Sequence, residues 1–331
     1  VRALEARDRG IATIAEAVER ASANAAPDAA APDLEARVVI GGIYRMIATR
    51  LRRAETAIAT LAEELAAWLS DYERAGGERR WQKLTATAKL GRSAEALEGP
   101  IEQMPSVLPP GRPRIPQQEI AENQRLRILH ATVRLAASKG YMATTVADIT
   151  KLARVRANTF YRQFADKQEA FTAVHELGFQ QVMDHTAKAF FSVEGWPLRS
   201  WTAAGALTQL LDANPLLANV AFVEAYAVGP GAVQRIEDTH TAFMFFLQEG
   251  LAVSEEPPSR VAMEAIVASV FEVIYLQTRV GENGQIAGMA PYIAHLWLAP
   301  FLGARESDAL IETQLRKQKA PAKAPRVRKQ T

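Results

Sequence analysis

Between Lys139 and Phe171 the chain reads KGYMATTVADITKLARVRANTFYRQFADKQEAF, and the helix start and stop signals in this stretch constrain local structure more tightly than anything else in the sequence. Upstream, Ile128, Leu129, Val133, Leu135 and Ala136 recur at helical spacing as far as Gly140, which offers the left-handed position where helices stop. Thr145 with Asp148 three residues on is a capping box, and Val146, Ile149, Leu152 and Ala153 give the short helix behind it an apolar face. Val155 sits in a tight turn. The stretch from Asn158 to Phe164 then sets Phe160 and Phe164 on one side and Thr159, Tyr161, Arg162 and Gln163 around the rest. Asp166 with Glu169 repeats the cap and opens a further helix that buries Ala170, Phe171 and Val174. Two short helices joined by a tight turn and clamped between capped neighbours make a helix-turn-helix, whose second helix can enter the DNA major groove.

Gly140, Tyr141, Thr144, Thr145, Ile149, Ala153, Val155, Thr159, Phe160, Tyr161, Phe164 and Lys167 follow the order Gly-aromatic, paired threonines, hydrophobic helix, Ala-x-Val, Thr-hydrophobic-Tyr-x-x-Phe and Lys. In this the chain resembles the TetR family of bacterial transcriptional regulators. The resemblance implies that Thr145, Thr159, Tyr161 and Lys167 hold phosphates, with Thr144 in the same set, and that Ala157, Asn158 and Arg162 lie near base edges. Two positions depart from the family: Arg154 stands where it has Gly, and Arg156 where it has a small N-cap Ser. A left-handed Arg154 costs about 1 kcal/mol and a lost N-cap about as much again, which leaves the motif intact. Both arginines add positive charge on the side facing phosphate, favouring affinity over sequence selectivity.

Upstream, Pro109-Pro110-Gly111-Arg112-Pro113-Arg114-Ile115-Pro116 is a proline-stiffened arm that cannot be helical. Its Arg112 and Arg114 suit a narrow A/T minor groove, and the arm resembles the basic one that precedes the first helix in many TetR-type proteins. Net charge over the whole chain is only +2, but it is unevenly placed. Gly111 to Glu169 carries 11 Lys or Arg against 5 Asp or Glu; Arg316 to Thr331 carries 7 and none; the remainder has a balance of −11. A basic reader and a basic tail on an acidic body suit docking on DNA by one face. The tail, with interspersed Ala and Pro, reads as disordered.

A second pattern links the two ends of the chain. Val1 to Glu5, continuing through Ile11, Ile14 and Val18, parallels Val233 to Glu237, continuing through Phe243, Phe246 and Gly250. Ile40-Gly-Gly-Ile43-Tyr44-Arg-Met-Ile47 parallels Val267-Ala-Ser-Val270-Phe271-Glu-Val-Ile274, and Arg52 falls opposite Arg279. After a slip of one residue, Ile58, Leu61, Leu65 and Leu69 align with Ile286, Met289, Ile293 and Trp297. The expected organisation follows: 1–76, the C-terminal part of a first TetR-like regulatory domain; 77–118, linker and basic arm; 119–174, the helix-turn-helix domain; 175–312, a TetR-like regulatory domain; 313–331, a basic disordered tail. The opening Val suggests that the first copy's DNA-binding part lies outside this sequence. TetR-type regulators, as the resemblance implies, dimerise through their last two helices. In a tandem chain both halves of that bundle can come from one polypeptide, giving an intrachain pseudo-dimer or a homodimer. The helices near Leu34 to Arg53 and Ala57 to Ala75 are expected to pack on those near Val261 to Val280 and Ile286 to Phe301, with Ile43, Ile47, Leu61, Leu65 and Trp68 meeting Phe271, Ile274, Ile293, Leu296 and Trp297.

The resemblance also implies a small hydrophobic effector, for which Trp201, Phe222, Tyr226, Phe243, Phe246, Phe271 and Tyr275 are the candidate lining, although most such rings in a helical domain are plain core. The fold class is all-α, a three-helix DNA-binding domain followed by a helical regulatory and dimerisation domain. Cysteine is absent, which excludes disulfides and thiol chemistry. No apolar run reads as long enough to span a membrane, so a cytoplasmic protein is expected. The five histidines are scattered without metal-ligand spacing, and no nucleophile elbow, phosphate loop or dinucleotide fingerprint is present. No enzyme activity, cofactor or metal is expected; Gly41-Gly42 reads as a site of close helix packing. The partner is double-stranded DNA. The function expected is a TetR-type regulator acting as a repressor, against two alternatives: a sequence-tolerant architectural DNA-binding protein, and a dimerisation module whose reading head no longer functions.

Overall fold

Helical periodicity runs through nearly every segment, and in a computed structural model of the chain helices and the turns between them account for the residues it describes, 2–25, 36–55, 61–72, 99, 101–108, 115–280 and 286–319, with no strand among them. Arg112 and Arg114 of the proline arm, Ile58, and the tail beyond Lys319 lie outside the described residues. In chain order the helices are α1 (Arg2–Ala25), α2 (Ala36–Arg52), α3 (Leu61–Ser70), α4 (Gln117–Lys139), α5 (Val146–Ala153), α6 (Ala157–Tyr161), α7 (Lys167–Phe190) and α8 (Trp196–Ala213). They continue with α9 (Pro215–Val228), whose middle, Val220–Glu224, widens into a π-turn. After α9 come α10 (Pro230–Phe243), α11 (Arg260–Val280), α12 (Ala290–Leu302) and α13 (Ala304–Lys319).

The reading head is α4 to α6 closed by the start of α7. Ile128, Val133, Ile149, Phe160 and Phe171 are fully buried among them, which accounts for the apolar spacing in the sequence. The long α7 runs without a break into the larger helical body, where it packs on α8, and α8 packs in turn on α12. Residues 101–108, expected to be linker, are instead stitched down. His130 Nδ1 lies 2.8 Å from the Ile101 carbonyl, and Ile101 itself is buried. Leu217 N donates to Glu102 at 3.0 Å and Asn123 to the Ser106 carbonyl at 3.1 Å. Across 312/313 α13 continues to Lys319 and buries Ile311 and Leu315 on one side.

The N-terminal helices pack against the body. α2 packs along α11, α3 crosses α11, and α1 covers α2. Leu61, Leu65 and Trp68 share one core with Phe271, Ile274, Ile293, Leu296 and Trp297, with Ile43 and Ile47 partly buried against it. Tyr72 donates its hydroxyl to the Leu296 carbonyl at 2.9 Å and accepts from the Trp68 indole at 3.0 Å. Gly41 and Gly42 allow the closest approach. A Cβ on Gly42 would stand 2.9 Å from both Cα and N of Ser269, and one on Gly41 would stand 2.5 Å from Glu272 Cδ.

One expectation about membranes needs correcting, since Arg260–Arg279 of α11 is long and apolar enough to cross one. Its apolarity has another cause. The helix is central, with neighbours at α2, α3, α9, α10 and α12, so nearly every side is buried. Its two interior carboxylates, Glu264 and Glu272, are both in ion pairs.

Candidate nucleic-acid interface

Three devices set the geometry of the reading head. The capping box forms: Asp148 N donates to Thr145 Oγ1 at 3.2 Å while Thr145 N donates to Asp148 Oδ2 at 3.1 Å. Lys139 reaches the same carboxylate at 2.7 Å, and these hydrogen bonds, that from Lys139 first, hold the Asp148 carboxyl down at about 2. The tie fastens the end of α4 to the start of α5. At the other end of α5, Arg154 adopts the left-handed conformation, φ 52 and ψ 47, that a glycine would take without strain. The turn then opens α6 at Arg156, whose side chain makes no capping hydrogen bond.

Arg127, which the sequence reading passed over, anchors this turn from below. Its Nε donates to the Ala153 carbonyl at 2.9 Å, and its Nη1 donates to the Pro105 carbonyl. Burial, with the Arg154 charge nearby, pulls this guanidinium below its ordinary value. A buried arginine that satisfies a helix end leaves no mark in sequence periodicity.

The second helix is shorter than expected, since α6 spans Ala157–Tyr161 and Arg162 to Phe164 close it as a turn. Phe160 and Phe164 point inward with ring centroids 5.7 Å apart, and Arg125 lies over the Phe164 ring. What remains outward is a compact set: Arg154, Arg156, Ala157, Asn158, Tyr161 and Arg162 are all exposed, Tyr161 by 58%. Three arginines, an amide and a phenol on one rigid turn can offer charge-assisted donors to phosphates and hydrogen bonds to base edges.

Three of the residues expected to contact phosphate are engaged within the head itself. Lys167 does not stand free for phosphate: its ammonium donates to the carbonyls of Tyr141 at 3.0 Å and Thr144 at 2.9 Å and lies 4.4 Å from the Tyr141 ring centroid. Thr144 is buried, its hydroxyl spent on the Gly140 carbonyl at 3.0 Å. Thr159 is also largely buried, its hydroxyl 3.4 Å from Arg162 Nη2, so it steadies that guanidinium and offers little surface. Thr145 stays exposed, with its hydroxyl donating to Asp148 at 2.6 Å. Short polar residues at a helix start serve the backbone first.

Residues 128–174 match the model of the bacterial regulatory proteins, tetR family. This segment belongs to the TetR family. The TetR-type reading head sits on a helical body whose likeness to solved structures extends further along the chain. The fatty acid degradation regulator FadR from Bacillus halodurans aligns with a TM-score of 0.50 at 18% identity, over 54% of this chain and 97% of that one. FadR from Bacillus subtilis, solved in complex with stearoyl-CoA, gives 0.48 at 16%, over 53% and 98%. A TetR family regulator from Marinobacter aquaeolei VT8 gives 0.45 at 22%, over 55% and 97%. At such identities the first of these speaks for the fold alone. No curated protein matches the chain.

Besides the continuous α7, the TetR head touches the body at α9. Glu224, in the π-turn, accepts from the Tyr141 backbone N–H at 2.8 Å, beside the carbonyl that Lys167 holds. Of the aromatics expected to line an effector site, Phe222, Phe243, Phe246 and Phe271 pack on one another with centroids 5.1 to 5.7 Å apart, and Trp201 is buried in α8. Tyr226 and Tyr275 face elsewhere. The Tyr226 hydroxyl accepts from Arg45, and the Tyr275 hydroxyl donates to Asp8 at 2.8 Å. Burial, reinforced by Asp8, pushes the Tyr275 phenol up to about 12. Both tyrosines belong to the contact with α1 and α2. Among the described residues no group of three or more His, Asp or Glu side chains is placed to hold a metal ion.

Proposed function

We propose that this protein is a cytoplasmic, ligand-responsive transcriptional regulator, acting as a repressor, that reads duplex DNA through α6 and the turn before it. The observation that carries the reading is the exposed set Arg154, Arg156, Asn158, Tyr161 and Arg162 on a scaffold whose other side is fully packed. Phosphate contacts from the arginines fix register, while Asn158 and Arg162 face the base edges. A small hydrophobic effector would act in the body, among Trp201, Phe222, Phe243, Phe246 and Phe271, by favouring one placement of the head over another. The hydrogen bond from Tyr141 N–H to Glu224 would be one mechanical link between the two. In the same reading α1 to α3 are the end of a first regulatory unit, and their packing on α11 and α12 makes a pseudo-dimer within one chain.

A gel-shift titration tests this, using the region upstream of the protein's own operon against random duplex at two salt concentrations. Tight binding to the specific duplex that survives excess random DNA supports the regulator, with Arg156→Ala weakening it and lowering the salt slope by about 1. Equal affinity for both duplexes would point to the architectural alternative, which the two arginines in place of small residues favour. An unchanged affinity in Arg156→Ala refutes the placement of the turn on DNA.

A further inference from the structure

Along α2 and α11, positions that correspond in the internal repeat meet each other in space. Gly42 corresponds to Ser269, and they touch: a Cβ on Gly42 would lie 2.2 Å from Ser269 Oγ. Arg45 corresponds to Glu272, and Arg45 Nε donates to Glu272 Oε2 at 2.7 Å. Toward one end Arg50 holds Glu264 at 2.8 Å; toward the other, the corresponding residues Arg37 and Gln277 line one surface depression. Arg52 holds Glu237 at 2.5 Å, and its counterpart Arg279 lies 3.6 Å from Asp8, one turn from Glu5, the counterpart of Glu237. This is the contact pattern of a twofold, self-complementary interface whose two sides have ceased to be identical.

We propose that the seam is coded for first half against second half, so that α1 to α3 are the dedicated partner of the face formed by α11 and α12, and a second copy of the chain cannot dimerise through that face. The proposal rests on the tandem reading given above. A twofold pairing of two second halves would oppose Glu272 to Glu272, at a position now 1% exposed and neutralised by Arg45 and by Arg7 at 2.5 Å. It would also replace Gly41 and Gly42 by Ala268 and Ser269, placing Cβ atoms where Glu272 and the Ser269 backbone already stand. Two first halves would oppose Arg45 to Arg45. Only the mixed pair sets opposite charges together and a glycine against each bulky neighbour, so the code combines an attractive element with repulsive ones.

Because the chain has no cysteine, engineered pairs are its only thiols. Arg50→Cys/Glu264→Cys spans the mixed seam. Glu264→Cys/Gln277→Cys spans only a pairing of two second halves, since both residues lie on α11, about 20 Å apart along one helix. After treatment of the full chain with a short bismaleimide, the first pair is expected to close a loop within one chain, running as a monomer on a denaturing gel at low and high protein concentration. The second pair is expected to give no covalent dimer. Dimers from the second pair overturn the proposal. Glu272→Lys added to the first pair should abolish the loop and lower Tm by about 10 °C or more, and Arg45→Glu on top should recover at least half of both. The rescue separates a coded contact from a fold that merely fails, and a loop that survives Glu272→Lys, or is not recovered, refutes the code. A normal gel shift with second-half dimers would sink this proposal alone; a lost gel shift with the expected cross-links would sink the regulator reading alone.

Discussion

Gly42→Ala adds a single methyl group at the closest approach of α2 and α11. In an open helix interior the change is favourable, because alanine is worth about 1 kcal/mol over glycine. Here the new Cβ would stand 2.9 Å from Cα and N of Ser269, and backbone atoms cannot turn aside as a side chain can. The helices must move apart by several tenths of an ångström. Overpacking of that kind costs about 1 to 3 kcal/mol, and separation also stretches the buried Arg45–Glu272 contact at 2.7 Å, where charge-assisted hydrogen bonds are worth about 1.5 to 3 kcal/mol each. These losses exceed the propensity gain, leaving a net destabilisation of about 1 to 3 kcal/mol. Gly10→Ala is the matched control, since it lies in mid-helix in α1 with nothing within 4 Å of the added Cβ. It should stabilise by about 0.5 to 1 kcal/mol. Thermal unfolding followed by circular dichroism reads both. A Tm for Gly42→Ala equal to or above that of Gly10→Ala would refute the close-approach reasoning.

Other measurements probe the head and the seam separately. Lys167→Met removes the ammonium that gathers the carbonyls of Tyr141 and Thr144, and is expected to lower Tm by several degrees while leaving the salt slope of DNA binding unchanged; a reduced slope would return Lys167 to the phosphate contacts. His240 is half-buried against Phe271, its Nε2 enclosed and without a hydrogen-bond partner among the described residues, with Arg45, Arg52 and Arg53 nearby; desolvation foremost drops its pKa to about 3. Since the unfolded chain takes up a proton near pH 6.5 and the folded one only near 3, this group erodes stability as pH falls through that window and adds nothing above it. Denaturant unfolding of His240→Gln should show a pH slope shallower by about one proton between those limits, and an unaltered slope would count against a neutral His240.

What the sequence disclosed was local. Thr145 with Asp148, Asp166 with Glu169, and Gly140 with its φ of 85 are start and stop marks that act within four residues, and all three appear as read. The burial of Phe160 and Phe164 followed from helical spacing. What the sequence did not disclose is where a side chain is held by a distant partner. Lys167 looked like a free cation because the carbonyls that occupy it lie more than twenty residues back. Tyr226 and Tyr275 looked like pocket lining because a ring in a sequence does not reveal that its hydroxyl meets Arg45 or Asp8, the latter 267 positions away. The apolar stretch Arg260–Arg279 is interrupted in sequence by Glu264 and Glu272, and only the structure shows that each is held by an arginine of α2. The short α6 is a further case: Gln163 and Phe164 keep a helical pattern in sequence after the chain has begun to turn.

The contact between Arg45 and Glu272 bridges 227 positions, and that separation is also an interval of time. At a synthesis rate of roughly 5 to 20 residues per second, α2 leaves the ribosome roughly 10 to 45 seconds before α11 exists to receive it. Throughout that interval nascent chains at the same stage each present Arg45 without the glutamate that pairs it. Like charge keeps them apart until each chain has made its own glutamate. Under the tandem reading proposed above, the residue that locks the finished molecule would also disfavour pairing of two such early segments, since both carry the same charge.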